Sequence, residues 1–478
     1  MIFNSWSYIL FLTFFVSIYW ILNPRYRIGL LAFASFLFYG LWRFDFAFLI
    51  VFSAIIDFIS SKKIYRNSNK TIKKYWLSLS LCINLGLLIF FKYTYFLIDN
   101  ISFLINNNIT IPFSIILPLG ISFYTFQTIS YSIDIYRGVT KPVNNFLTFF
   151  TYVSFWPQLI AGPILRTHEV IPQLIEFKKF NLKYINQGVY IILIGLFKKV
   201  VIADSLALEV DKLFLMNVDI LNAPEVWVSA FLFGFQIYFD FSGYCDIAIG
   251  SAKMLGINFP DNFYWPYLST SPKQFWGRWH ISLSSWIRDY LYLPLTGQKF
   301  RSKSTGGLSS NKSLDNNRNI ALFITWFLMG LWHGAGWNFV IWGLMHASYI
   351  MIFRFIPYLK KLDRNIPFVT WVLTLFFTMA SWIPFRSISV SQSLSMLQKI
   401  LDPTQYLAFV YSKQISYFNY LYVIVILSFI YFSYQLKNIL FPSINNFRPI
   451  LHIPLVIFMA LMIIIYLQTN NQFIYFQF

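Results

Sequence analysis

The sequence predicts an all-α integral membrane protein that crosses the bilayer many times. Three observations carry this. Of 478 residues, 57% are hydrophobic and 12% charged, about half the charge of a soluble domain. The apolar residues fall in runs near the ~20 residues a membrane helix needs. The 37 Lys and Arg, against 18 Asp and Glu, gather between those runs, as orientation signals do in polytopic proteins. A soluble fold could not solvate so much apolar surface, so a nucleic-acid partner is excluded as the reason for the basic excess. Cys82 and Cys245 lie in apolar stretches and offer no disulfide framework or metal-ligand spacing.

The amino terminus lacks the basic n-region and cleavage site of a secretory signal. The basic residues Arg25 and Arg27 follow the first run, so the first crossing is expected to start outside and end in the cytoplasm. Runs at about 5–22, 28–42, 46–60 and 75–98 follow. The loop from Ser61 to Lys74 carries six basic residues and no acid, so it is placed inside; Asp99 to Pro112 has no Lys or Arg, so it is placed outside. The run at about 115–133 returns to Arg137 and Lys141. Residues 145–165 are apolar but broken by Pro157 and Gly162-Pro163, with basic residues at both ends. A re-entrant hairpin explains this better than a span, because broken backbone at depth needs surrounding protein. Further runs lie at about 186–204, 226–256, 367–385, 417–436 and 450–467, for ten or eleven crossings on the order of 20 residues each. No repeat period and no soluble domain is visible. Residues 1–478 form one membrane-embedded domain, with core motifs at about 115–355 and a long basic loop from Gly297 to Arg318.

Chemistry inside a membrane needs groups that are expensive to bury there. Of five histidines, His333 is the most informative. It sits in Leu331-Trp332-His333-Gly334-Ala335-Gly336-Trp337-Asn338, between apolar runs 320–331 and 339–353 with basic outer flanks. A hairpin with both ends inside would put His333 at its tip, since twelve helical residues rise about 18 Å. Gly330, Gly334 and Gly336 are expected to let the backbone turn and a substrate approach. The bland alternative is a packed histidine bonded to backbone.

His280 lies in a stretch where Trp276, Trp279, Leu283, Trp286 and Tyr290 recur at three and four, one face of an amphipathic helix at headgroup level. On that reading His280 is a polar-face residue of an interfacial anchor or a chemical group. Arg288-Asp289 reads as a local charge pair. Asp240 and Asp246 flank Gly243 in an apolar run. They line a cavity or handle protons, or they pair with Arg278 or a similar cation. His346 and His452 read as packing or interfacial, and His168 as a cytoplasmic loop residue. The chain has no Gly-x-Ser-x-Gly elbow, Walker A loop, His-Glu-x-x-His or His-x4-Asp motif, so hydrolase, pump and metalloprotease readings lose their signatures. A transporter or lipid scramblase would explain the many helices and intramembrane acids, but no inverted repeat is visible. A non-catalytic scaffold would tolerate loss of both His280 and His333.

Phe155 to Pro163, Tyr238 to Asp246, Trp276 to Tyr290 and Leu331 to Ala335, in this order, resemble the membrane-bound O-acyltransferase family, and most closely its bacterial polysaccharide acetylase branch similar to alginate O-acetyltransferase. The resemblance covers about residues 30–355. Leu293-Pro294-Leu295-Thr296-Gly297 favours this branch over the D-alanyl transferases of teichoic acid synthesis. The resemblance implies His333 as the catalytic histidine and His280 as the second characteristic one. Trp332, Asn338, Asp240, Trp276, Arg288 and Asp289 are supporting or substrate-binding candidates. It implies a ring of helices, with re-entrant and interfacial helices, around a thin core entered by a donor tunnel and an acceptor funnel. It further implies no bound cofactor, acetyl-CoA as cytoplasmic donor substrate, and an exported polysaccharide or a periplasmic esterase-like partner as acceptor. The expected location is the bacterial inner membrane.

Overall fold

The computed structural model describes residues 3–297, 315–407, 415–440, 449–467 and 473–474, and these form helices and loops without strands. The backbone groups into two units. The first takes residues up to Gly195 together with Tyr244–Asp261; the second takes Leu196–Gly243 and the described residues from Asn262 on.

In the first unit, helices begin where the sequence supplies a cap. Ser5 accepts from the Tyr8 amide at the start of α1 (Trp6–Ile21). Asn23 accepts from the Arg25 amide at α2 (Pro24–Gly40), whose leading Pro has no amide to lose. The expected basic loop at 61–74 is not a loop. Helix α3 (Phe44–Arg66) runs to Arg66, and α4 (Lys70–Leu88) starts at Lys70 after three residues, capped by Asn69. The six basic residues therefore sit on facing helix ends. Those ending α3 oppose its macrodipole favourably; those starting α4 do not, so the bilayer's orientation rule outweighs the local term there. A π-helical turn, Ile89–Tyr93, continues α4 into α5 (Thr94–Ile105), which ends on left-handed Asn106. Then follow α6 (Ile121–Tyr136), α7 (Phe146–Ser154), the one-turn α8 (Trp156–Leu159), α9 (Thr167–Ile175) and α10 (Leu182–Leu196). The break expected in 145–165 is present: the helix stops at Phe155, restarts on Trp156-Pro157, and gives way before Gly162-Pro163. His168 lies exposed on α9 rather than in a loop.

Three of these helices are locked by one carboxylate. Asp57 of α3 is fully buried and accepts from Ser80 and Asn84 of α4 and Ser132 of α6, the last two at 2.9 and 3.1 Å. Ser53 in turn donates to Asn84 Oδ1 at 2.7 Å.

The second unit opens with a π-helical segment, Phe197–Ala203, that joins α10 to α11 (Asp204–Leu215). Helix α12 (Ala223–Met254) gives the residues up to Gly243 to this unit and those from Tyr244 to the other. Two short helices follow, α13 (Pro272–Trp276) and α14 (Ile281–Ile287), then a π turn (Arg288–Tyr292) and α15 (Leu293–Leu295). The loop expected at 297–318 lies outside the described residues except at its two ends, the later of which, Asp315–Arg318, is the first turn of α16. Helices α16 (Asp315–His333) and α17 (Trp337–Phe355) form the hairpin, and α18 (Pro357–Asn365) bends 83° from α17. Then come α19 (Pro367–Arg386), α20 (Val390–Leu401), α21 (Thr404–Leu407), α22 (Tyr417–Leu440) and α23 (Pro449–Tyr466).

Among the described residues, four helical stretches are long and apolar enough to cross a membrane: Phe44–Arg66, Lys70–Ile105, Pro367–Arg386 and Tyr417–Gln435, with the bent pair α17–α18 as a fifth. The apolar faces of these helices point outward with large side chains such as Phe48, Phe90, Phe376 and Phe432 exposed, which suits a lipid solvent and not water.

Replacing Asp57 by alanine is expected to strand its donors in an apolar interior and lower stability by about 3 kcal/mol or more. Thermal unfolding of the detergent-solubilised protein measures this, and a smaller loss for Asp57→Asn would follow from its retained acceptor.

Candidate active site

His333 is the last residue of α16 and the chain reverses immediately after it. The Gly334 amide still bonds back to Gly330 at 3.3 Å, and α17 starts three residues later. The reversal is tight because Phe339 folds back over it: a side chain on Gly334 would overlap the Phe339 ring, and one on Gly330 the Phe339 carbonyl. Gly336 differs from expectation. Its φ of −166° is ordinary extended backbone and an added Cβ would make normal contact with Phe339 at 3.6 Å, so neither the turn nor the packing demands glycine there. Helix α16 has 19 residues, more than its apolar run, because polar Asp315–Asn319 form its first turn. The His333 ring is buried edge-on among Trp332, Trp342 and Phe385, with centroids at 4.8, 4.8 and 5.2 Å.

His280 is fully buried, and it is not a polar-face residue of one amphipathic helix. The predicted apolar face is buried as read, from Trp276 through Tyr290, but the helix breaks at Gly277–His280. His280 itself takes a left-handed backbone, φ +41° and ψ +56°, rare and costly for a side-chain-bearing residue. Its ring meets Phe241 of α12 edge-on at 4.7 Å, lies along Phe263 at 6.3 Å, and reaches Trp332 at 6.4 Å. Trp332 thus contacts both imidazoles, a role it owes to its place beside His333 on α16. Burial pushes the His280 pKa down to about 3, so the ring is neutral at physiological pH.

Asp240 pairs with Lys199, not with Arg278. Lys199 Nζ lies 2.5 Å from Asp240 and 2.7 Å from Asp204, and all three are buried. The backbone amide of Ile474 adds a hydrogen bond to Asp240 at 2.9 Å. The wider π-helical turn lets Lys199 reach both acids. Asp240 therefore braces the wall behind His280, one residue from Phe241. Arg278 stands near the Tyr264 ring instead. Arg288 and Asp289 form the expected local pair at 2.7 Å, the arginine side chain 62% exposed and the aspartate buried. Asn338 donates to the Ser387 carbonyl at 2.8 Å, tying the start of α17 to the end of α19.

Trp276 stands apart from both candidate histidines and helps enclose His346, with Trp326 and Trp342. His346 is packing, as read, but it has polar company. Ser381 spends its hydroxyl hydrogen on the Thr378 carbonyl at 2.6 Å, so at 3.0 Å it accepts from His346 Nε2. The side chain of His452 lies outside the described residues. Three polar residues were missed from sequence: Lys199, Asp57 and Asn262. The first two carry the signal already applied to Asp240, an ionisable group inside an apolar run. Asn262 carried none.

A profile of the membrane-bound O-acyltransferase family matches residues 141–362, which take in both histidines, the broken segment and α12. A probable alginate O-acetylase, AlgI, of Azotobacter vinelandii is 38% identical over 392 residues, covering 81% of this chain and 75% of its own. The peptidoglycan O-acetyltransferase of Helicobacter pylori is 35% identical over 419 residues, 81% of this chain and 76% of its own. The teichoic acid D-alanyltransferase of Bacillus subtilis is 29% identical over 275 residues, 55% and 66% respectively. The fold and these likenesses define a multi-pass, all-helical membrane enzyme. The chain belongs to the membrane-bound O-acyltransferase family and is an O-acyltransferase.

Lys199→Met would leave two buried carboxylates facing each other, and stability should fall by about 3–5 kcal/mol. A double-mutant cycle with Asp240→Asn, followed by thermal unfolding, isolates the pair; additive losses would show that the two side chains do not interact.

Proposed function

We propose that this chain moves an acetyl group from acetyl-CoA on the cytoplasmic side to a hydroxyl of an exported cell-surface polysaccharide, directly or through a periplasmic partner. The observation that carries the reading is the placement of His333. It is buried at a hairpin reversal, beside a second buried histidine reached through Trp332, in a chain whose relatives are named as alginate and peptidoglycan O-acetyltransferases.

In this reading a ring nitrogen of His333 takes the proton of the acceptor hydroxyl as its oxygen attacks the thioester carbonyl. The carbon–sulfur bond breaks, and the departing thiolate of CoA takes the proton from the imidazolium. A neutral imidazole suits this step near pH 7. His280 contacts the substrate beside it. Trp332 separates and orients the two rings, while Asn338 and Asp240 hold the surrounding helices. The exposed guanidinium of Arg288, steadied by Asp289, is suited to the phosphates of CoA. The enzyme lies in the bacterial inner membrane with its amino terminus outside. Further apolar helices such as α1, α12 and α23 complete ten or eleven crossings, arranged as a ring around a thin core with a donor tunnel and an acceptor funnel. D-alanyl transfer to teichoic acid is the second reading, favoured by the B. subtilis relative.

Purified enzyme incubated with labelled acetyl-CoA should release CoA and label an acceptor. His333→Ala should lose that activity by about 10²–10⁴-fold at unchanged expression, and His280→Ala should lower it. Undiminished transfer in well-expressed His333→Ala would overturn the mechanism. Labelling only from a D-alanyl carrier protein would transfer the assignment to the second reading.

A further inference from the structure

We propose that Asn262 is a positioning residue for His280. It fixes the imidazole as the Nδ1–H tautomer, so that Nε2 meets the substrate as a hydrogen-bond acceptor for a hydroxyl or an amide N–H. This rests on the reading of His280 as a substrate-facing residue.

One donor at this site has a fixed direction. The backbone amide of Ser282 can only donate, and it points at Asn262 Oδ1 at 3.1 Å. The side-chain oxygen of Asn262 is therefore the acceptor end of its amide. The Ser282 hydroxyl donates to the same oxygen at 2.9 Å. His280 Nδ1 lies 3.3 Å from it, and an oxygen that only accepts can bond to Nδ1 only if Nδ1 carries the hydrogen. In a neutral ring the lone pair is then on Nε2.

The same residue holds the backbone that aims the ring. The Asn262 carbonyl accepts from the Ile281 amide at 2.9 Å, directly after the left-handed residue. The Tyr264 backbone amide donates to the Arg278 carbonyl at 2.8 Å, within the break. With four hydrogen bonds from Ile281, Ser282 and His280, buried Asn262 clasps the kink that a helix-periodic sequence would otherwise smooth out. Phe241 and Phe263 bracket the ring, so it cannot flip to exchange its nitrogens without moving them.

The chemical consequence is directional. A neutral His280 held in this way cannot donate from Nε2 to the oxyanion that forms on the thioester carbonyl. It accepts instead, from the attacking hydroxyl or from an amide N–H of the pantetheine arm of the acyl donor.

The experiment is nitrogen NMR of the full-length protein, labelled with 15N-histidine and held in lipid nanodiscs, with His280 assigned by the signals lost in His280→Ala. Wild-type protein should show a protonated Nδ1 and an unprotonated Nε2. A protonated Nε2 overturns the proposal. Asn262→Ala should abolish the Nδ1–H pattern and lower kcat/KM about 10–100-fold, and Asn262→Asp, which keeps an acceptor, should restore the pattern and most of kcat/KM. Retention of both pattern and kcat/KM in Asn262→Ala also overturns it. Should Asn262→Ala not fold, the wild-type spectrum and Asn262→Asp still decide. In Asn262→Ala, a rise confined to KM for acetyl-CoA assigns the donor group to the pantetheine amide, and a fall confined to acceptor turnover assigns it to the hydroxyl. The tautomer is read without any acetyl transfer. A correct tautomer in a protein that releases no CoA therefore sinks the acetyl-transfer reading alone.

Discussion

Polar groups buried away from water must be satisfied from within the chain, because hydrocarbon offers them nothing. In this protein that constraint turns the deep polar side chains just described into crosslinks. Asp57 gathers donors from two other helices. Lys199 answers two acids at once. Asn262 collects the donors of a broken helix. Such links cost desolvation, so they are weak as sources of net stability. Their value is register: a helix slid by one residue would leave the partner stranded.

The π-helical turns belong to the same solution. A regular α-helix repeats its faces every 3.6 residues and cannot present an extra side chain inward. Inserting one residue into a turn shifts that face. Each of the three π segments carries a charged residue, Lys92, Lys199 and Asp289, and for Lys199 and Asp289 the partner is an acid in the core or the adjoining arginine. At Lys199 the irregular turn and the buried charge are one feature: the chain gives up ideal backbone bonding where the ammonium meets its two acids.

The long apolar helices were legible, because apolar length is local; the shorter α9, α11, α18 and α20, which no apolar run announces, were not. The hairpin around His333, whose reversal is written in Gly330 and Gly334, was legible too, and so was the buried face from Trp276 to Tyr290. What periodicity could not carry was the break inside that face. It depends on Asn262, far back in the chain, and a repeat of three and four reports which side is buried without reporting φ. The Asp240 partner was hidden for a similar reason. Arg278 looked suitable in sequence, but the π turn brings Lys199 there, and no window of residues encodes that meeting. Asp57 is as legible as Asp240, since an ionisable group inside an apolar run marks both. The family resemblance located the histidines; it did not supply their partners.

Aromatic packing does for His333 what hydrogen bonds do for His280. Trp342 stands between His333 and His346, 4.8 and 4.9 Å from their centroids. His346 is itself fixed by donating to Ser381 of α19, and Phe385 of α19 closes the other side of His333. Asn338 ties the start of α17 to the backbone at the end of α19. The orientation of His333 is therefore held by rings on three sides, with the polar ties placed one layer out. Rings suit this task at depth in an apolar medium: each supplies a large rigid contact and, apart from one N–H on tryptophan, asks for no partner. An imidazole framed in this way keeps a defined direction without a polar tie having to supply it.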